Sequence, residues 1–504
     1  MKPMNKHLLL LLLLVGAMGS KAKTVDATLP EQARLLSGEL LSLPRLEWNN
    51  PALKHWQSPF SMSEVGLSWQ LRHEDEPIAT QMGNHETTWA FNATTYMHQG
   101  NATLWGRAFY NNGRQRGIHW SETSDVEVVY PYLLADSVDT HDMNLERYSF
   151  MGGYAHVGKH ITWGASIGYK AGLYYRQVDP RPRNVTADLD IAAGIGYISN
   201  HYVMATAVEF KNYKQTNNVT FYSEMGSDKL FHLTGLANDY GRFAGTGYST
   251  YYKGQRWAMS FNLHHLQPRG PSVTVQASRL AFDNVLTSIN KLPMAHVTHN
   301  ALMAQATWND EAWLVRAFAH ATRRVGTENI FGDPAAQVYQ KIGQLDMYHE
   351  NRLEVTLDGI YEYRWERAFC ALHPSISYHH LNTIYADPQG RLALNELATN
   401  INVKGGTRLG KTFTALTLGM RWNHPVEHEL SLTGTKSELM GLQRAIEHDF
   451  NYLANNYMLW RMALIVDVPV SNRYVVRTTV DWKHQRYSGR NHTHQLFTAL
   501  SFIF

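Results

Sequence analysis

The sequence has one cysteine, a small net charge and no long apolar run after the N-terminus, and other fold classes depend on these three features. A single cysteine, Cys370, excludes an internal disulfide framework and a zinc site built from cysteine ligands. The net charge of +3 with 18% charged residues predicts no nucleic-acid partner. Beyond the N-terminus no apolar run approaches the ~18 residues that a transmembrane helix needs. A helical membrane protein and a disulfide-stapled secreted domain are therefore excluded, and no cofactor is predicted.

Aromatic residues, in contrast, are abundant. They make up 12% of the chain, with 27 Tyr and 14 Trp, although the mean hydropathy is −0.36. Many aromatic rings in a chain of modest hydropathy are typical of a protein that is wet on one face and apolar on the other.

The N-terminus predicts an export signal over residues 1–19. Lys2 and Lys6 precede an apolar run from Leu8 to Val15, and small residues follow at Ala17 and Gly19. This run is too short to cross a bilayer as a helix. The mature protein is therefore predicted to be periplasmic, secreted or in the outer membrane.

Strict alternation of apolar with small or polar residues favours the outer membrane. From Ile161 to Tyr175 the odd positions are apolar or aromatic, whereas the even ones from Thr162 to Gly172 are small or polar, and a second such segment runs from Val185 to Tyr197. Two more surround the turn at Ser471-Asn472-Arg473. These segments exceed the ~9–11 residues that a tilted strand needs to cross a membrane. A soluble all-β secreted protein is the alternative.

Short turns and longer links alternate along the chain, as in bacterial barrels. Eight turns and nine links predict an all-β, antiparallel up-and-down transmembrane barrel of about 18 strands (range ~16–22), with short periplasmic turns and long outer loops. The turns are expected at 99–101, 158–159, 199–201, 254–255, 309–311, 365–367, 410–411 and 471–473, and the links at 73–85, 112–144, 177–184, 214–244, 267–295, 324–350, 384–397, 425–455 and 488–490.

Three links contain further patterns. Within 267–295, Ser272 to Phe282 is interpreted as a folded loop or as two further short strands. Helical periodicity from Pro334 to Gly343 and from Glu438 to Ala454 predicts helices at the mouth of the barrel.

The last strand carries the most specific motif. Apolar residues alternate back from a terminal aromatic, at Phe504, Phe502, Leu500 and Leu496. This pattern resembles the signal that the outer-membrane assembly machinery reads. Pairing of this strand with the first would close the barrel and remove both open edges.

Two resemblances add to these expectations. The stretch from Tyr148 to Asn184 (YSFMGGYAHVGKH, then YYRQVDPRPRN) resembles a Bacteroidota family of outer-membrane β-barrels of unknown function. Asn50-Pro51-Ala52 resembles the Asn-Pro-Ala hatch motif of the FadL-type transporters of hydrophobic compounds. The second resemblance implies that residues 20–62 form a lumen hatch or a periplasmic segment, ahead of a barrel over residues 63–504.

Charges near the C-terminus are predicted to face the lumen together. They either set the selectivity of a pore or fill the interior with ion pairs. The residues are Arg461, Asp467, Arg477, Asp481 and Lys483.

Other polar residues are assigned to the rim. One outer loop is acidic, which indicates either a solvated loop or a site for a divalent cation; its acids are Glu122, Asp125, Glu127, Asp136, Asp139 and Asp142. The 26 histidines suggest metal or haem recognition, with His492 and His494 sharing a strand face. No set of metal ligands can be assigned from the sequence.

The resulting hypothesis is a porin-like protein of the Gram-negative cell outer membrane that acts as a channel or diffusion transporter. The alternatives are a non-transporting surface scaffold or partner of an outer-membrane uptake complex, and metal or haem recognition through His-rich loops. A barrel-embedded hydrolase is the alternative to a protein with no enzymatic activity. The expected partners are membrane lipid and lipopolysaccharide, the barrel assembly machinery, and a surface lipoprotein or TonB-dependent receptor.

Overall fold

The computed structural model describes residues 27–137, 140–223, 229–243, 245, 249–267, 269–335, 338–489 and 491–504. The predicted signal peptide lies outside the described residues, as does the start of the 20–62 segment. No helix in the described part of the chain is both long and apolar enough to cross a bilayer.

Eighteen of 21 strands form one antiparallel sheet that closes on itself, and each barrel strand pairs with the next barrel strand in the chain. The strands are β1 Met62–Glu74, β2 His85–Gln99, β3 Ala102–Ile118, β4 Leu133–Ala135, β5 His141–Val157, β6 Ile161–Tyr175, β7 Arg181–Ile198, β8 Tyr202–Thr220, β9 Phe231–Gly235, β10 Asn238–Asp239, β11 Ser249–His265, β12 Gly270–Leu286, β13 Leu292–Asn309, β14 Trp313–Phe331, β15 Lys341–Arg364, β16 Ala368–Tyr385, β17 Gly390–Leu409, β18 Thr412–Leu432, β19 Tyr457–Ser471, β20 Tyr474–Tyr487 and β21 His492–Ile503. The predicted 18-stranded antiparallel barrel is confirmed.

The remaining elements are not part of the barrel wall. The short strands β4, β9 and β10 form a separate three-stranded sheet. The helices are α1 Leu29–Leu36, α2 Glu39–Ser42, α3 Val126–Val129 and α4 Met440–Leu453, with 3₁₀ turns at Leu46–Asn49, Pro51–Trp56, Thr80–Met82, Gly241–Phe243 and Ser437–Leu439.

The barrel closes between its first and last strands. β1 pairs with β21 over their length, and the backbones of Ser63 and Phe504 exchange two hydrogen bonds of 2.9 Å. Leu500, Phe502 and Phe504 lie on the outer face, where Leu500 is 58% exposed. Leu496 lies four residues before Leu500, on the same face of the strand. Their role as an assembly signal stays a prediction.

The two ends of the barrel differ. Hairpin turns of two to four residues join the strands at one end, here called the turn end. Links of four to 28 residues join them at the other, the loop end. Between the ends the outward side chains are large and apolar, for example Ile161, Trp163 and Ile167, which are 53%, 46% and 58% exposed. Such a belt on an isolated chain marks a surface that contacts lipid.

Three predictions about strands and links are wrong, and two of them compensate in the strand count. Gly254-Gln255 is not a turn, because it lies inside β11 opposite Phe282 of β12. Any Cβ at Gly254 would come within 2.6 Å of the Phe282 Cβ, so this glycine makes room for a buried ring. The link 267–295 contains one continuous strand, β12, and neither a folded loop nor two short strands.

The third error concerns Pro334 to Gly343, which is not helical. The backbones of Ala335 and Val338 form an isolated bridge there, and β15 begins at Lys341. The predicted helix near Glu438 to Ala454 is confirmed as α4.

Candidate functional site

The predicted lumen charges lie on β19 and β20, and four of them form two ion pairs. Arg477 Nε lies 2.7 Å from Asp467 Oδ1, and Arg461 Nη2 lies 2.8 Å from Asp481 Oδ2. Asp467 is only 2% exposed. Lys483 lies opposite Arg461 in the strand register.

Residues 27–61, here called the floor, lie against the inner wall near the turn end. Helix α1 contacts the first of these ion pairs, because Arg477 Nη2 donates to Ser37 Oγ at 3.0 Å and to the Ala33 carbonyl oxygen at 3.3 Å. The pairing of Asp467 with Arg477 therefore supports the floor as well as the wall.

Helix α2 is held by strands further around the barrel. Glu362 of β15 accepts hydrogen bonds from the backbone amides of Glu39 and Leu40, at 2.6 and 3.2 Å. The Glu39 carboxylate in turn lies 3.1 Å from His373 Nδ1 and 3.4 Å from Lys404 Nζ. The hydrogen bond with His373, followed by the charge of Lys404, holds the pKa of Glu39 below its usual range.

The Asn-Pro-Ala tripeptide is buried in the middle of the floor. Asn50, 1% exposed, caps the following 3₁₀ turn by accepting a 2.9 Å hydrogen bond from the Ala52 amide. Its Nδ2 donates to Asn262 Oδ1 of β11 at 2.8 Å. The Ala52 carbonyl oxygen accepts from Thr162 Oγ1 of β6 at 2.8 Å.

Two glycines of the wall make room for this tripeptide. A Cβ at Gly164 of β6 would lie 2.4 Å from the Pro51 carbonyl oxygen. A Cβ at Gly194 of β7 would lie 2.1 Å from Asn50 Oδ1. The backbone of the floor thus approaches the wall as closely as only glycine permits.

The outer loops cover the loop end and are here called the roof: residues 119–137, 229–243 and 433–456. Its buried side chains pack directly on inward-facing residues of β8, β11, β12 and β13 in one apolar cluster. The roof contributes Trp120, Val129, Tyr132, Leu133, Ala135, Phe231, Leu233, Ala237, Leu439 and Leu442, and the wall contributes Tyr213, Tyr252, Phe282, Ala295 and Val297.

Floor and roof leave a polar chamber between them. It consists of two adjoining cavities of about 540 and 420 Å³ that share Arg107, Ser149, Lys170, Asp188 and Arg256. The first cavity reaches Asp125 and Val128 of the roof, and the second reaches Trp48, Pro51 and Lys54 of the floor.

Some charges of the chamber are paired. Lys211 Nζ lies 3.0 Å from Asp190, and Arg256 lies 2.8 Å from Glu209. Asp125 accepts a 3.2 Å hydrogen bond from Tyr213, and burial raises the pKa of its carboxyl.

Three cations of the chamber, Arg107, Arg147 and Lys170, form no ion pair with any residue that the structure describes. Arg107 donates to Asn92 at 3.1 Å and Arg147 donates to the Tyr174 hydroxyl. Burial lowers the pKa of Lys54, on the floor side, to about 8. The chamber therefore has cationic groups available for an anionic solute.

Sequence reasoning missed this cluster. Lys170, Asp188 and Asp190 lie on the polar faces of the two segments whose alternation is clearest, but alternation alone does not mark them as a site. The strand register would have indicated the cluster, because Lys170 lies opposite Asp188 and Asp190 lies opposite Lys211 on neighbouring strands.

The histidines separate by face. His264 packs inward against Trp48 of the floor, at 5.1 Å between ring centroids, whereas its neighbour His265 contacts Tyr202. His492 and His494 lie beside His484, at 5.3 and 4.5 Å between ring centroids. Among the described residues, the one group of three metal-ligating side chains whose ligand atoms all lie within 4.8 Å of one another is Glu122, Asp136 and His141, at the edge of the roof.

The chain belongs to a family of unknown function (DUF6850), whose model matches residues 51–504. This confirms the predicted membership of a family of unknown function. No curated protein matches the sequence.

Solved structures similar to this chain are outer-membrane proteins. A bacterial polysaccharide outer membrane secretin is 10% identical, with a TM-score of 0.37 over 88% of this chain and 97% of its own. The outer membrane transporter YddB from Escherichia coli is 6% identical (TM-score 0.41; 88% and 81%). A mutant of the ferric enterobactin receptor PfeA from Pseudomonas aeruginosa is 9% identical (TM-score 0.36; 88% and 80%).

Proposed function

We propose that this member of a family of unknown function is an outer-membrane diffusion transporter that binds a small anionic solute in its chamber and releases it past the floor. The observation that carries the proposal is the chamber itself, since it lies between two covers and has three cations without ion-pair partners, Arg107, Arg147 and Lys170.

The location follows from the outward belt of apolar side chains, which fits a bilayer. With the predicted export signal, the turn end would face the periplasm and the loop end the outside. The C-terminal strand would be the part that the assembly machinery reads, and the outward apolar face would contact lipid and lipopolysaccharide. An origin in the Bacteroidota, and a surface lipoprotein or TonB-dependent receptor as partner, stay predictions.

In this proposal the floor acts as the hatch. Its contacts with the wall include hydrogen bonds and ion pairs, such as Asn50 with Asn262 and Glu39 with His373, and two small apolar clusters around Leu43 and Leu53. Water can replace the polar contacts, so the floor can leave the wall at the cost of exposing these two clusters. The likeness of Asn50-Pro51-Ala52 to the FadL-type hatch motif supports the same assignment, although the polar chamber favours a different solute.

The alternative is a surface scaffold that transports nothing. The paired charges of β19 and β20 and the apolar packing under the roof favour it, because both fill the lumen. Arg107, Arg147 and Lys170 favour transport instead, since a purely structural interior would pair its cations with nearby carboxylates. Neither proposal includes an enzymatic activity.

The test is the conductance of the purified, refolded protein in planar bilayers, with and without residues 27–61. We expect the intact protein to be almost closed and the truncated protein to give stepwise, anion-selective currents. In the truncated protein, Lys170→Gln should reduce the preference for anions, whereas Lys159→Gln, at a turn outside the lumen, should leave it unchanged.

Silence of both proteins, with folding verified by heat-modifiable gel mobility, would overturn the transporter proposal and favour the scaffold. Cation-selective currents from the truncated protein would keep the pore but refute the anionic solute.

A further inference from the structure

Three potential metal ligands meet where the roof joins the wall. Glu122 follows β3 by four residues, Asp136 directly follows β4, and His141 begins β5. One carboxylate oxygen from each acid and one ring nitrogen of His141 all lie within 4.8 Å of one another. His141 Nε2 lies 3.1 Å from Asp136 Oδ2.

The two acids are buried, although the acidic loop was interpreted as either solvated or cation-binding. Glu122 and Asp136 are both 0% exposed. Glu122 Oε2 and Asp136 Oδ1 have no hydrogen-bond partner among the described residues. A buried carboxylate oxygen without a partner costs free energy, so a ligand at this point would relieve the cost.

The surroundings hold the ligands in place. Arg176 Nη2 lies 2.6 Å from Glu122 Oε1, and the same guanidinium donates to the Pro180 carbonyl oxygen at 2.7 Å. The Glu122 amide donates to the Leu134 carbonyl oxygen at 2.8 Å, which brings both ends of the loop together. Metal-binding carboxylates are commonly oriented by hydrogen bonds of this kind.

Two occupants would suit this cluster. In the first case a proton is shared between Glu122 and Asp136, and burial raises the pKa of Glu122 to about 8, against the opposing effect of Arg176. In the second case a divalent cation neutralises both carboxylates. A shared proton serves the two acids and leaves His141 as a hydrogen-bond partner of Asp136 alone, whereas a cation uses all three groups as ligands.

We propose that Glu122, Asp136 and His141 bind one divalent transition-metal cation of the Zn²⁺ type. Two carboxylates with one imidazole suit Zn²⁺ better than Ca²⁺ or Mg²⁺, which take oxygen ligands only. Three protein ligands leave a coordination position for water. The cation fastens the loop at residues 119–140 to the wall and so stabilises the roof. The site does not depend on the proposed transport.

The test is Zn²⁺ binding by the full mature protein in detergent, after treatment with a chelator. We expect one more tightly bound Zn²⁺ per chain in the wild type than in Glu122→Gln or Asp136→Asn, measured by titration calorimetry and by elemental analysis after gel filtration. This difference separates the site from the surface histidines, which all the variants retain. Co²⁺ should give a visible absorption spectrum that the same variants lack.

His141→Gln is the conservative variant and Asp142→Asn is the matched control. His141→Gln should weaken Zn²⁺ binding at least ~10-fold, since even changes outside the ligand shell cost that much. Asp142 directly follows His141 in the chain and lies 2.7 Å from Arg114, so its loss should leave binding unchanged.

Heat-modifiable mobility verifies that each variant is folded. Equal Zn²⁺ uptake by the wild type, Glu122→Gln and His141→Gln would overturn the proposal, as would a chelated wild type that takes up no tightly bound cation. The latter outcome would assign the cluster to a shared proton.

Discussion

Floor and roof both cover the lumen, but they bury different amounts of apolar surface against the wall. The floor touches the wall through Asn50, Glu39 and Ser37, whose partners are polar or charged, and through two small apolar clusters around Leu43 and Leu53. The roof touches it through side chains such as Leu133 and Phe231, packed on Tyr252 and Phe282 of the wall in a much larger apolar cluster.

This difference indicates which cover can move. Displacing the roof would expose a large apolar cluster to water, at a cost of roughly 25 cal/mol for each Å². Displacing the floor exposes two smaller apolar clusters and exchanges protein hydrogen bonds for hydrogen bonds with water, at a net cost of about 0.5–1.5 kcal/mol for each bond. We therefore assign the roof to the folded core and expect the floor to be displaced more readily.

The largest effect should come from breaking the roof. Leu133→Ala removes a side chain that is 2% exposed in the roof cluster and should destabilise the roof by about 2–5 kcal/mol. Protease digestion and tryptophan fluorescence during thermal unfolding measure this loss. Leu453→Ala, on α4 but 40% exposed, should change stability by no more than about 0.5 kcal/mol. Equal effects of the two variants would contradict the assignment of the roof to the core.

A smaller effect should come from filling the space that the floor occupies. Gly164→Ala places a Cβ against the Pro51 carbonyl oxygen and should displace the floor at a cost of about 1–3 kcal/mol. The expected result is a higher open probability of the intact protein in planar bilayers.

Gly168→Ala on the same strand and face is the control, because its nearest contact would be an ordinary 3.4 Å to the Met151 Cβ. The same open probability in both variants would mean that contact at the tripeptide does not hold the floor.

The smallest effect on the floor should come from lowering the pH. The pKa of Glu39 is depressed, so its contribution to holding the floor is present above its ordinary pKa of 4.5 and is lost as the pH falls through the lowered value. We therefore expect the conductance of the intact protein to rise as the pH falls below 4.5.

Glu39→Gln should open the protein part of the way at pH 7 and flatten the pH profile. Glu311→Gln, at a hairpin turn, should retain the full profile. A rise in conductance with pH, instead of a fall, would refute the role of Glu39.

The sequence was sufficient to predict the fold because apolar and polar residues alternate along membrane strands. It was less reliable for the strand ends and links beyond the membrane. The strand number was correct through two compensating errors, at Gly254-Gln255 and at 267–295. On β12 the outward residues change from Val273 and Val275 to Arg279 and Asp283 towards the loop end. That part of the strand is polar on its outer face, so its composition resembles a loop although its backbone still pairs.

The candidate site was less accessible to sequence reasoning than the fold. The chamber depends on the pairing of distant strands, which brings Arg107 of β3 near Arg256 of β11. The buried position of Glu122 was equally hidden, since acidic residues in a long link are usually solvated. The roles of the five C-terminal lumen charges, and of the tripeptide as a hatch, stay predictions.

The floor touches strands all around the circumference, including β6, β7, β11, β15, β16 and β20. Its binding surface therefore exists only once every hairpin has been inserted and β1 has joined β21. A barrel that is missing a hairpin, or is still open, has no complete seat for residues 27–61. Although the floor precedes all the strands in the chain, its complete seat forms only after them, so a docked floor would distinguish a finished barrel from an unfinished one.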